Sequence, residues 1–79
     1  MKNSKRIRLA ASQVGEFVNA AEKCDFDIDI CGHGRGRNTV DAKSLLGVLG
    51  LDLSNVLIVS YSGYDHAFES FLDTLEAQA

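Results

Sequence analysis

The alternation of hydrophobic and polar positions predicts four short β-strands in this chain. Polarity alternates residue by residue in two stretches, as it does in strands that bury one face. A third stretch is a continuous apolar run rich in β-branched residues, which is typical of a central strand. A β-branched pair, Thr39 and Val40, suits a shorter strand. The predicted strands are residues 5–9, 24–31, 39–40 and 56–61.

Apolar residues spaced three and four positions apart predict three helices. Ser12, Asp41 and Asp65 are expected to cap them, because short polar side chains accept hydrogen bonds from the free amides of a first helical turn. The expected apolar positions are Val14, Phe17, Val18 and Ala21, then Leu45, Leu46, Val48 and Leu49 before Gly50, and finally Phe68, Phe71, Leu72 and Leu75. The order β-α-β-β-α-β-α, with one apolar face per helix, predicts one α+β domain over residues 1–79, with helices covering one face of a sheet.

Composition limits the class of protein. The 79 residues are 46% hydrophobic and 24% charged, which is too apolar for a disordered tail, and no uncharged run is long enough to span a membrane. The net charge is −3, so nucleic acid is not an expected partner. Two cysteines are too few for a disulfide scaffold, and no secretory signal is recognisable, so we expect a cytoplasmic location.

The run from Thr39 to Leu49, TVDAKSLLGVL, resembles the second-helix motif of HPr. HPr is the histidine-containing phosphocarrier protein of the bacterial sugar phosphotransferase system (PTS). The stretch from Ile58 to Asp65 is similar to the last strand and turn of that family, and residues 17–21 are similar to its first helix. The resemblance implies an open-faced sandwich with an antiparallel sheet in the order 1-4-2-3. It also implies protein partners of the phosphotransferase or catabolite-regulation type.

The family's phosphate-accepting segment is altered in this chain. The resemblance puts the histidine position on Ala10, the arginine position on Ser12 and the proline position on Gln13. Ala10 has no nitrogen to phosphorylate, and Ser12 cannot supply a guanidinium to the transferred phosphate. We therefore expect a homologue that is not an enzyme, needs no cofactor and acts by regulation or by binding partners.

The same resemblance implies two features at the second helix. Ser44 falls on the family's regulatory serine, and a phosphate there would add about −1.5 to −2 charges near a helix N-terminus. Leu45, Leu46 and Leu49 match the positions at which HPr docks onto partners. Adjacent leucines on so short a helix cannot all point inward, so either an exposed docking patch or a mostly buried set fits the pattern.

Other side chains offer alternative sites. The glycine-rich loop 32–38 carries His33, Arg35 and Arg37, which suit a phosphate or a nucleic-acid backbone. A phosphocarrier using a displaced histidine, His33 or His66, is a further alternative. Cys24 and Cys31 have opposite strand parity and no CxxC spacing, so no metal site is expected.

The sheet face away from the helices is expected to carry an apolar stripe between opposite charges. Such a surface is suited to a two-fold homodimer. The stripe is Val56 and Ile58, with Arg6 and Arg8 on one side and Asp27 and Asp29 on the other.

Overall fold

The computed structural model of the chain describes residues 3–32 and 39–77. The described elements follow the predicted order β-α-β-β-α-β-α, with a short 3-10 turn at Ala11–Gln13 before the first helix. They are β1 (Asn3–Ile7), α1 (Val14–Glu22), β2 (Ile28–Gly32), β3 (Thr39–Asp41), α2 (Leu45–Leu49), β4 (Leu57–Tyr61) and α3 (His66–Leu75). Among these helices, none is long and apolar enough to cross a membrane.

The four strands form one antiparallel sheet in the order β1-β4-β2-β3. This confirms the predicted sheet order and the α+β open-faced sandwich. Alternate residues of the central strand β4, namely Leu57, Val59 and Tyr61, are buried as expected. They pack with the apolar faces of α1 and α3, where the ring of Phe68 lies edge-on to Tyr61 at 5.5 Å.

The first two strands begin and end at different residues from those predicted. Strand β1 lies two residues earlier than 5–9, because Arg8 already turns away from β4 and donates its amide to the carbonyl of Leu75. The second strand starts at Ile28 rather than residue 24. The backbone at Cys24 still follows α1, since its amide donates to the Ala21 carbonyl at 3.1 Å.

Two of the three predicted helix caps are wrong. Ser12 lies inside the 3-10 turn and makes no capping bond. Helix α2 starts at Leu45, so its cap is Ser44 rather than Asp41. The Asp41 carboxylate instead accepts the amide of Lys43, which closes a turn just before the helix. The predicted cap at Asp65 is confirmed, with its carboxylate 2.9 Å from the Phe68 amide.

The apolar faces of the helices are largely as predicted. Phe71 is half-buried rather than part of the core. Val48 alone of the α2 residues is fully buried.

The predicted stripe on the outer sheet face is only partly present. Val56 lies before β4, and Arg8 and Asp27 lie outside the strands. Ile58 is half-buried and sits between Arg6 of β1 and Cys31 of β2. Asp29 is one row further along, opposite Ser60.

Candidate functional site: the leucines of helix α2

Helix α2 exposes three leucines, which we call the leucine surface: Leu45, Leu46 and Leu49. Leu46 is 82% exposed, and Leu45 and Leu49 are each 47% exposed. A helix of five residues has room for only one core-facing position, and Val48 takes it. Large apolar side chains exposed together on one short element are characteristic of a contact surface.

Gly47 brings α2 close to the sheet. A Cβ at this position would lie 3.3 Å from the Cβ of Val40 and 3.2 Å from the hydroxyl of Ser44. A larger residue would push the helix away from β3. The glycine therefore fixes how far the leucine surface stands out from the fold.

Ser44 precedes the leucine surface and is itself exposed. Its backbone is extended, and its hydroxyl oxygen accepts the Gly47 amide at 3.1 Å. Lys43 anchors this start of the helix, because its ammonium donates to the Cys24 carbonyl at the end of α1, 2.9 Å away. Ser44 is thus held at a defined position directly beside the three leucines.

Ala10 opens the 3-10 turn that leads into α1, and it is exposed. Its amide donates to the side-chain oxygen of Gln13 at 2.9 Å, while its carbonyl accepts the Gln13 amide at 2.8 Å. The glutamine therefore satisfies a backbone donor at the start of the helical segment. Ala10, Ser12 and Gln13 bring a methyl group, a hydroxyl and an amide to this turn, and none of them is an imidazole or a cation.

The alternative site residues are not brought together by the described structure. His33, Arg35 and Arg37 lie outside the described residues, so the loop site stays a prediction. His66 is exposed at the first position of α3, where its Nδ1 lies 3.3 Å from the Tyr64 hydroxyl.

The two cysteines have different surroundings. Cys24 is buried and its thiol donates to the Ala20 carbonyl, and burial raises the pKa of that thiol. Cys31 is half-buried on the outer sheet face. In the part of the chain that the structure describes, no three His, Cys, Asp or Glu side chains are grouped as metal ligands would be.

A polar cluster between β1 and α3 was missed by the sequence pattern. The Tyr61 hydroxyl donates to Glu69 at 2.5 Å, and the Lys5 ammonium lies 3.4 Å from both Glu69 and Asp73. Burial disfavours the charged form of Lys5, but Asp73 and Glu69 outweigh it and raise the lysine pKa. The signal was available, since Lys5 shares strand parity with the buried Ile7.

Comparisons with solved structures and with family models relate this chain to known proteins, whereas a comparison with curated proteins does not. No match was found among curated proteins. A phosphocarrier protein HPr from Bacillus anthracis is 25% identical, with a TM-score of 0.74 over 95% of this chain and 98% of that one. HPr-C-His from Thermoanaerobacter tengcongensis, 24% identical with a TM-score of 0.67 over 94% of this chain and 92% of that one, shows the same fold. The family model "PTS HPr component phosphorylation site" matches residues 5–77. With a family match over nearly its whole length, the chain belongs to the HPr family of the phosphotransferase system.

Proposed function

We propose that this chain is a non-catalytic HPr homologue that regulates or binds protein partners through helix α2, under the control of phosphorylation at Ser44. The observation that carries the proposal is the leucine surface, 47–82% exposed, directly after an exposed serine. Its expected partners are proteins of the phosphotransferase or catabolite-regulation type.

The turn at Ala10 supports the non-catalytic part of the proposal. Phosphoryl transfer through a side chain needs a nucleophile and groups that stabilise the developing charge. At the aligned positions Ala10 offers only a methyl group, and Gln13 already occupies the Ala10 amide. No side chain there can take a phosphoryl group from a donor as a histidine does.

The leucine surface supports the binding part of the proposal. Apolar side chains that are exposed to water contribute little to the stability of the folded monomer. A partner that covers them removes their apolar surface from water, and this favours binding. Leu46 is the best placed to enter a partner's pocket, because it is the most exposed of the three. Val48 lies on the side of the helix opposite Leu46, where it is completely buried and packs α2 against the core.

The position of Ser44 supports control by phosphorylation. The serine is exposed, and the leucine surface begins at the next residue. A phosphate would place about −1.5 to −2 charges at the border of that apolar surface. A partner with cationic groups around its pocket would then bind more tightly, and one with acidic groups would be repelled.

Incubation of the chain with HPr kinase and ATP tests the regulatory part. We expect one phosphate, stable to acid and mapped to Ser44 by mass spectrometry. Ser44→Ala should remove the label, and Ser54→Ala, which changes another exposed serine, should keep it. Absence of label on the unchanged chain, with a known HPr labelled in parallel, would contradict control at Ser44.

A further inference from the structure

The outer face of the sheet carries its side chains in two rows that cross all four strands. Directly paired residues of antiparallel strands share a face, so the register defines each row. The first row is Arg6, Ile58, Cys31 and Thr39, and the second row is Ser4, Ser60, Asp29 and Asp41.

Charge on this face is divided between its two edges. Arg6 lies on the β1 edge and, within residues 3–32 and 39–77, it makes no ion pair. Asp29 and Asp41 are direct cross-strand partners on β2 and β3. The carboxylate of Asp41 is exposed at the β3 edge, so this side of the face attracts a cation. Between the two sides lie Ile58 and Cys31, both half-buried.

We propose that this face is an interface between two copies of the chain, related by a two-fold axis that runs parallel to the strands between β4 and β2. Such an axis places β1 of one copy over β3 of the other. Arg6 then lies above Thr39 of the second copy, one row from its Asp41. A distance of about 7 Å separates residues two apart along a strand, which an arginine side chain can bridge.

The same axis brings the apolar centres together. Strand β4 of one copy lies over β2 of the other, so Ile58 of the first copy covers Cys31 of the second. The two-fold axis repeats this contact, with Ile58 of the second copy covering Cys31 of the first. A two-fold axis perpendicular to the strands would instead put β1 over β1 and β3 over β3. That arrangement sets arginine near arginine and aspartate near aspartate, and it is disfavoured.

The size of the face predicts a weak dimer. Three strands of five residues and one of three, about 4.8 Å apart, give a flat area of roughly 300 Å² per copy. Stable interfaces bury about 800 Å² per partner. We therefore expect a weak dimer, whose association weakens further as salt screens the arginine–aspartate pairs.

Sedimentation velocity on the full chain from 20 µM to 2 mM tests the proposal. We expect the weight-average sedimentation coefficient to rise from the monomer value toward the dimer value at low salt and to fall back in 0.5 M salt. A monomer throughout the series would overturn it. Self-association that is unchanged by salt and by the variants below would assign the contact to another surface.

Two charge reversals identify the surface. Arg6→Glu and Asp41→Lys should each be monomeric, because each puts like charges together twice in the two-fold dimer. An equimolar mixture should associate again, since both contacts of the mixed dimer then pair opposite charges. If the mixture does not associate, although circular dichroism shows that both variants are folded, the proposed axis is overturned.

Control reversals on helix α1 and at the residue that follows it match these changes in charge. Glu16 and Lys23 are exposed on the helix side of the sheet. Glu16→Lys and Lys23→Glu should keep the association of the unchanged chain. If Asp41→Lys loosens the turn at Lys43 and fails to fold, Arg6→Glu and Ile58→Asn still decide, since both should abolish association.

Discussion

Gly63 shows how one residue without a side chain holds the end of β4 in place. Its φ of +152° is a conformation that other residues rarely adopt, and a Cβ there would lie 2.5 Å from the ring of Phe26. That ring stacks on Tyr61 at a centroid distance of 5.9 Å. The glycine therefore allows the turn after β4 to close over two packed aromatic rings.

Gly63→Ala should lower the free energy of unfolding by about 1–3 kcal/mol, through backbone strain and displacement of Phe26. Urea denaturation measures the change. Gly15→Ala is the matched control, because a Cβ at Gly15 meets nothing within 4 Å. Alanine at that helical position should stabilise the protein by up to about 1 kcal/mol. Equal effects of the two substitutions would contradict this account.

Tyr61 joins the core to the polar cluster beneath β1. Its ring is buried, and its hydroxyl donates to Glu69. Burial, together with the bond to Glu69 and the charge of that carboxylate, raises the pKa of Tyr61 well above its ordinary value of 10.0. The folded state thus keeps this tyrosine protonated at a pH where the unfolded chain has lost the proton.

The sign of the pH dependence follows from that direction. Because the pKa of Tyr61 is higher in the folded than in the unfolded state, its contribution to the free energy of unfolding is fully present below pH 10. That contribution is lost as the pH rises above 10. Tyr61→Phe should therefore lower the free energy of unfolding by about 1–2 kcal/mol at pH 8. Between about pH 9 and pH 11, the variant should lose less stability than the unchanged chain does. Tyr64→Phe, at an exposed position, should leave the pH profile unchanged. Identical profiles for Tyr61→Phe and the unchanged chain would refute the argument.

At the scale of elements, local pattern predicts which face is buried better than where a strand ends. Leu9 is buried as its alternation with Ile7 indicates, yet it lies beyond β1. The reason is a partner far along the chain, since Ile7 bridges to Glu76 and the Arg6 carbonyl accepts the Ala77 amide. No local pattern near residue 7 contains that information.

The start of α2, at the candidate site, is also decided by contacts that the local sequence pattern does not contain. Asp41 and Ser44 are both good capping residues, and the sequence does not decide between them. The turn closed by Asp41 and the anchoring of Lys43 on the end of α1 move the helix start to Ser44. The same shift leaves room for only one core position in α2. This accounts for the exposure of leucines whose burial the sequence left open.

The two faces of α2 should separate binding from stability. Leu46→Ala should change the free energy of unfolding by less than about 0.5 kcal/mol, because the side chain is 82% exposed. It should nevertheless weaken partner binding, measured by calorimetry with the HPr kinase. Val48→Ala should cost about 2 kcal/mol in stability, since that side chain is fully buried. Unchanged binding by the folded Leu46 variant would remove the leucine surface from the docking site.

At the scale of the whole molecule, the HPr fold is kept although the resemblance puts an alanine, Ala10, at the position of the family's phosphate-accepting histidine. The sheet order could be predicted because the order of elements and the second-helix motif carry the resemblance to the HPr family, which implies that order. The alanine at position 10 could also be read from the sequence. The reciprocal bonds between Ala10 and Gln13 could not, because a glutamine side chain at that spacing has many other conformations.

Phosphorylation from enzyme I tests the central claim most directly. The chain is incubated with enzyme I and phosphoenolpyruvate beside a histidine-containing HPr, and intact mass is recorded before and after acid treatment. We predict a gain of one phosphate on the control protein and none on this chain. An acid-labile phosphate on this chain, at His33, His66 or any other residue, would contradict the account.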